Sequence, residues 1–343
     1  MRRSRGFKRV IPVLAVALAA AAADSGGPAQ SISGEVARLR EVVGKLPDPM
    51  VGADERKQLL QQLATLDDLL RAGRVDAAVH ALLRASRYVD AQAFRAAKAA
   101  EIKQGMPALE REFPSFGEER KRRLDGYAAA SGSAWASAMA RAAGETAFYE
   151  SRIVHDASLA YGAQVGAESG YFYLGEARAL LAFAVFAREL KPAAARALPA
   201  PGALPSRLQE LEQRLLEAYA GNTASPQASA FARANGALKL ARELDREELV
   251  WGALYQYLLA EQALGQARAP VASKDAGELR RAVDELAQKL ASGKADHSLA
   301  LAFLQVAQNG LAAPDPKPAL ANAQVVVEVV VPAYLAMTGD KAR

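Results

Sequence analysis

The sequence predicts an all-α protein, about a dozen helices in antiparallel hairpins that build a bundle or irregular helical array. Apolar residues recur three and four positions apart through nearly the whole chain, which is the repeat of a helix face rather than of a strand. Capping residues, glycines and prolines punctuate that pattern at short intervals. No convincing alternating run appears between them.

Each element has a local reason. A first helix is expected near 35–45. Asp54 can cap a second over 54–72, where Leu59, Leu60, Leu63, Leu66, Leu69 and Leu70 make one apolar face. Gly73 breaks it, and Val75, Val79, Leu82 and Leu83 open a return helix over 74–103. Ser115 with Glu118, and Ser206 with Gln209, have capping-box spacing and start helices over 116–130 and 207–220. Between them lie helices over 134–165 and 171–190. Ser225 before Pro226 and Asp315 before Pro316 set a capping side chain ahead of a proline at the first helical position. They open helices over 226–243 and 317–337, and 245–267, 275–292 and 297–311 complete the set. Val325–Val331 would favour a strand in isolation. Between helical neighbours it is expected to be helical, kinked or ended near Pro332.

The first 23 residues read differently. Arg2, Arg3, Arg5, Lys8 and Arg9 form a basic head without an acid, followed by a 14-residue apolar run from Val10 to Ala23. Alanines at 21 and 23 give the small-x-small pattern of a signal cleavage site just before Asp24. The run is short of the roughly 20 residues that span a bilayer. Residues 1–23 are therefore expected to be a cleaved signal peptide, and the product to be exported, periplasmic or extracellular. A membrane partner enters only if that segment is retained. With no cysteine the chain cannot be lipidated there and holds no disulfide, so stability rests on core burial. Polar residues 24–34 read as a mobile lead, 35–190 as an N-terminal helical lobe, 191–205 as a linker and 206–338 as a C-terminal lobe. The linker carries Pro192, Pro199, Pro201 and Pro205.

Charge excludes one class of partner. The chain has 43 basic and 38 acidic residues, and removing the five cations of residues 1–23 leaves 38 of each. A neutral mature chain gives no basis for nucleic-acid binding, which needs concentrated basic charge. The run Glu118–Arg123 reads as a solvated helix face. Known chemical signatures are also missing: His80, His155 and His297 show no metal-ligand spacing, and no nucleophile elbow or phosphate loop occurs. No cofactor or metal is implied.

The richest segment is Glu145–Gly175. At 100° per residue Glu145, Tyr149, Arg152 and Asp156 share one stripe, with Arg152 and Asp156 spaced to pair. His155 lies beside the stripe, and Glu150, Tyr161 and Glu168 fall on a second face. Ser158, Gly162, Gly166 and Gly170 form a ridge of small residues, followed by Tyr171, Phe172 and Tyr173. The ridge either admits a neighbouring helix or breaks the helix to expose backbone toward a ligand. Candidate ligand-binding residues are Glu145, Tyr149, Arg152, His155, Asp156, Glu168, Tyr171 and Tyr173. Two functions remain open: an exported, non-catalytic binding or scaffold protein with a protein partner, or a small-ligand-binding protein or enzyme built on this cluster.

Overall fold

Ile32, Val36, Leu39 and Val43 recur at four, three and four residues, and all are fully buried. They make Pro28–Lys45 the first helix, α1, with proline in its first turn where the missing N–H costs nothing. The helix thus takes in most of the stretch expected to be a mobile lead. Ser31, Ser33 and Gly34 disguise it, and Ile32 completes its apolar stripe. The structure is a computed structural model that describes residues 27–48, 50–128, 135–191, 196–199, 201–202, 204–220, 227–269 and 271–339. The signal segment and the cap at Ser225 lie outside the described residues.

The fold is all-α. Helix α2 (Ala53–Arg71) buries Leu59, Leu63, Leu66 and Leu69, as its spacing requires. Its N-cap is Gly52 rather than Asp54, which sits in the first turn and complements the helix dipole. Gly73, with φ of 70°, turns the chain into α3 (Val75–Ala97). The expected single helix over 74–103 divides at Lys98 into α3 and the short α4 (Ala99–Ile102).

Helix α5 (Met106–Ala128) starts ten residues before the expected position and carries Pro114 inside it. Ser115 is therefore interior and caps nothing; its hydroxyl donates to the Glu112 carbonyl at 2.7 Å. Ser137 caps α6 (Ala138–Val165), accepting from the Ala140 N–H at 3.1 Å. Gly166, at φ 130°, separates α6 from α7 (Ala167–Glu189).

The small-residue ridge has both consequences at different positions. Gly166 breaks the helix, while Gly162 and Gly170 receive α5. A Cβ on Gly162 would stand 2.8 Å from both Leu109 Cδ2 and Met106 Sδ, and one on Gly170 would overlap Leu109. Gly175 does the same for α3, where a Cβ would lie 2.9 Å from Phe94 Cβ and 3.0 Å from the Ala91 carbonyl. Close packing at these sites offsets the roughly 1 kcal/mol that each helical glycine costs relative to alanine.

The second half adds α8 (Leu204–Ala220), α9 (Ala228–Arg246), α10 (Val250–Arg268), α11 (Ala276–Ser292) and α12 (Ser298–Leu311). Leu208, Leu211 and Leu215 of α8 face inward and are buried. A complete capping box, Asp275 with Glu278, starts α11. The last helical stretch is α13 (Lys317–Val325), one π-turn (Val326–Val330) and α14 (Val331–Thr338). The valine run is thus helical, and its distortion falls just ahead of Pro332. Proline removes an N–H and crowds the carbonyl four residues back, and a widened turn relieves both.

Helices α6 and α7 form a long hairpin, α3 packs on α7, and α9 and α10 form a second hairpin whose α10 lies on α6. Helix α12 touches α3, α6 and the π-turn. One apolar core accordingly runs from Ile32 to Met337. Within 191–205, Ala197 makes a single parallel bridge to Ala295, and its carbonyl accepts from the Asp296 N–H at 2.9 Å.

Candidate functional site

Helix α6 is surrounded, so its polar residues reach different neighbours. Glu145, 3% exposed, accepts from Arg141 Nε at 2.7 Å and from the Gly252 N–H at 2.8 Å. Burial raises its pKa, opposed by Arg141 and by the backbone N–H groups of Trp251 and Gly252 at the start of α10. A carboxylate against a helix N-terminus suits the positive end of the dipole. Tyr149 and Arg152 instead face α9. The Tyr149 hydroxyl donates to Glu243 at 3.3 Å, and the Arg152 guanidinium lies 4.9 Å from the Tyr149 ring and 3.1 Å from Glu247. The expected Arg152–Asp156 pair does not form, because Glu247 takes the guanidinium.

His155 turns to α5. Its ring stacks on Phe113 at 3.8 Å and on Phe116 at 4.6 Å, and Nε2 lies 3.0 Å from the Phe113 carbonyl. Asp156, mostly exposed, is 3.2 Å from His155 Nδ1. On α7, exposed Glu168 pairs with Arg95 at 3.3 Å. Tyr171 is fully buried with its hydroxyl unpartnered, and Tyr173 stacks on Tyr161 at 4.1 Å. The structure therefore joins Tyr149 with Arg152, and His155 with Asp156. It leaves Glu145, Glu168, Tyr171 and Tyr173 on other contacts. Glu150, with Glu176 of α7, clasps Arg87 and ties α3 to the α6–α7 hairpin.

A second polar assembly was missed in the sequence. Asp76 in the first turn of α3 bonds Ser137 at the start of α6 and senses Asp296 ahead of α12. One turn on, His80 Nδ1 is hydrogen-bonded to the Tyr255 hydroxyl of α10. Burial and Asp296 raise Asp76 to about 7, while burial and Arg84 lower His80 to about 4. Both sit on α3 four residues apart, a spacing the sequence displays, but their partners are distant in sequence. Among the described residues no group of His, Asp and Glu side chains is placed to hold a metal ion.

An open cavity lies elsewhere. Between α8, α10 and the C-terminal stretch is a space of about 340 Å³. Arg207 and Arg214 of α8 and Tyr257 and Glu261 of α10 form its polar wall, and Glu328, Val329, Ala333 and Ala336 form the opposite wall. A smaller space of about 160 Å³ shares Arg214, Glu328 and Val329 and extends the groove past Gly265, Arg268, Ala321 and Val325. Gly265 allows the close approach on which this junction depends, since a Cβ there would stand 2.6 Å from Val325 Cγ1.

The groove's charges are mostly matched from within. Buried Glu261 receives both Arg214 nitrogens, at 2.7 and 2.9 Å, and the Tyr257 hydroxyl at 2.9 Å. Burial and Glu261 push the Tyr257 hydroxyl up, so it stays a donor. Glu328 pairs with Lys274 at 2.7 Å and accepts from Gln324 at 3.0 Å, which lowers its pKa. Arg207 pairs with Glu210 at 2.8 Å. Exposed Arg268 donates to the Arg214 carbonyl at 3.1 Å and forms no ion pair among the described residues.

The C-terminal wall supplies the apolar side of the groove. Both α7 and Lys317–Thr338 are long and apolar enough to cross a membrane by length and composition. The most apolar window of α7 is 67% buried, but that of the C-terminal stretch only 39%, and Val329, Ala333 and Ala336 of that stretch line the groove. The one sequence signal for this site was the valine run around Glu328, ending at Pro332. No known family matches the chain, and no curated protein or solved structure is significantly similar to it.

Proposed function

We propose that this chain is an exported, non-catalytic helical binding protein whose binding face is the groove between α8, α10 and the π-turn. One observation carries the reading. The groove is an open, partly apolar space within the size range of ligand sites, roughly 300–1,000 Å³. In the 145–173 segment Glu145, Tyr149, His155 and Glu168 are instead engaged with four different neighbouring helices. Such pairs, dispersed over four neighbours, fix helix positions. A turn of π-helix at the groove adds support, because these distortions concentrate at functional sites.

Native mass spectrometry of the protein purified from its own cells tests the site. The expected result is a bound species lost in Ala336→Trp, which fills the groove from an exposed position, and retained in Arg152→Ala and His155→Ala. Loss in the latter two with retention in Ala336→Trp would return the site to α6. Export has its own check: the product outside the cytoplasm should begin at or near Asp24. An intact Met1 on a soluble product contradicts it.

A further inference from the structure

We infer that the groove binds a singly charged carboxylate amphiphile, an aliphatic chain ending in one carboxylate, with its head at Arg268 and its chain along the C-terminal wall. This deepens the proposed binding function and rests on the groove being the site.

Charge sets the head group. Arg214 is neutralised by Glu261, Glu328 by Lys274 and Arg207 by Glu210. Among the described residues Arg268, which lines the smaller space, is left as the one cation of the groove without an ion pair. One net positive charge complements a monoanion; a second anionic charge would meet Glu328 without a free cation. A guanidinium also presents parallel donors that match a carboxylate's two oxygens.

Shape sets the body. Ala321, Val325, Val329, Ala333 and Ala336 follow one another along one side of the C-terminal stretch and line the two spaces. At ~1.5 Å per residue they mark a strip on the order of 22 Å long. A strip of small and branched apolar groups favours an unbranched chain over a broad ring system, and burying each methylene contributes about 0.8 kcal/mol. No hydrogen-bond donor or acceptor projects from these five side chains, so a chain rich in hydroxyls would lose its hydration there without replacement.

Calorimetric titration with dodecanoate, dodecanol and dodecyl phosphate, each below its micelle-forming range, decides the matter. Dodecanoate should bind about tenfold more tightly than dodecanol, the gain expected from a charge-assisted contact. Arg268→Gln should bring it down to the dodecanol value, and Ala336→Trp should abolish both. Dodecyl phosphate should gain nothing over dodecanoate. Equal binding of dodecanol, or a tenfold preference for the phosphate, overturns the carboxylate inference while leaving the groove as a site. Undiminished dodecanoate binding by Ala336→Trp, or none by the parent protein, overturns it as well. The groove itself then stands or falls on the co-purified species. Circular dichroism of both variants, expected to match the parent, separates lost binding from lost folding.

Discussion

Glu145→Ala is expected to lower the unfolding free energy by about 3 kcal/mol, the range for removing one partner of a buried ion pair. The side chain is almost fully buried and ties two elements together, Arg141 within α6 and the first turn of α10. Truncation leaves a largely buried guanidinium and the Gly252 N–H without their acceptor. The Gly252 backbone cannot move in to compensate, because even a Cβ there would lie 3.1 Å from Glu145 Cβ. Glu145→Gln keeps an acceptor for the N–H while losing the charge, so it should cost about half as much. Asp156→Ala, at an exposed position, should fall within about 0.5 kcal/mol of the parent. Urea unfolding followed by circular dichroism measures all three. Equal losses for Glu145→Ala and Asp156→Ala would show that the α6–α10 contact is not held by this carboxylate.

The second large effect is a pH dependence hidden by compensation. Asp76 has a folded pKa near 7, above its ordinary value, so the folded protein binds that proton more tightly than the unfolded chain does. Its contribution is complete below pH ~4 and is lost as pH rises through 7. His80 has a folded pKa near 4, below its ordinary value, and behaves in the opposite sense. Its contribution is complete above pH ~6.5 and is lost as pH falls toward 4. Between these limits the two slopes oppose each other, each at most about 1.4 kcal/mol per pH unit.

The parent protein should therefore show a nearly flat contribution from this region between pH 4.5 and 6.5. Asp76→Asn should expose the His80 slope, with stability falling as acid is added. His80→Gln should expose the Asp76 slope, with stability rising as acid is added. Each change amounts to as much as about 3 kcal/mol over the window. Asp296, Arg84 and the Tyr255 hydroxyl are the ionisable neighbours that set these values and remain in both variants. Unfolding midpoints in urea at several pH values suffice. Parallel profiles for the two variants would refute the compensation.

The fold was legible where a face repeats cleanly. The leucines of α2 and the glycine turn after it needed no tertiary information, and the same holds for the helical reading of Val325–Val331. The misreadings came from residues whose usual meaning was outweighed by packing. Ser31, Ser33 and Gly34 look like a linker until Ile32 is counted, and Ser115 looks like a cap until Leu109 and Phe116, both fully buried, carry α5 through Pro114. At the candidate site the limitation is geometric. A helical stripe of Glu145, Tyr149, Arg152 and Asp156 gives positions on one element, but function depends on which helix each position meets. Their partners lie 107, 94 and 95 residues away for the first three. The groove is harder still, since its walls come from three elements and share no local motif.

The π-turn at Val326–Val330 has one further consequence. It amounts to one surplus residue within a helix, so it sets the angular phase of everything after it. Removing one valine there would give ordinary α-helix with the later residues still in phase, whereas winding all five residues as α-helix would swing those that follow by about 100° around the axis. Ala333 and Ala336 would leave the groove. Tyr334, fully buried with its hydroxyl 3.3 Å from both His297 Nδ1 and the Asp296 carbonyl, would be carried out of the core. The widened turn, more than the identity of any one valine, decides which side of the C-terminal helix becomes the wall of the groove proposed to bind.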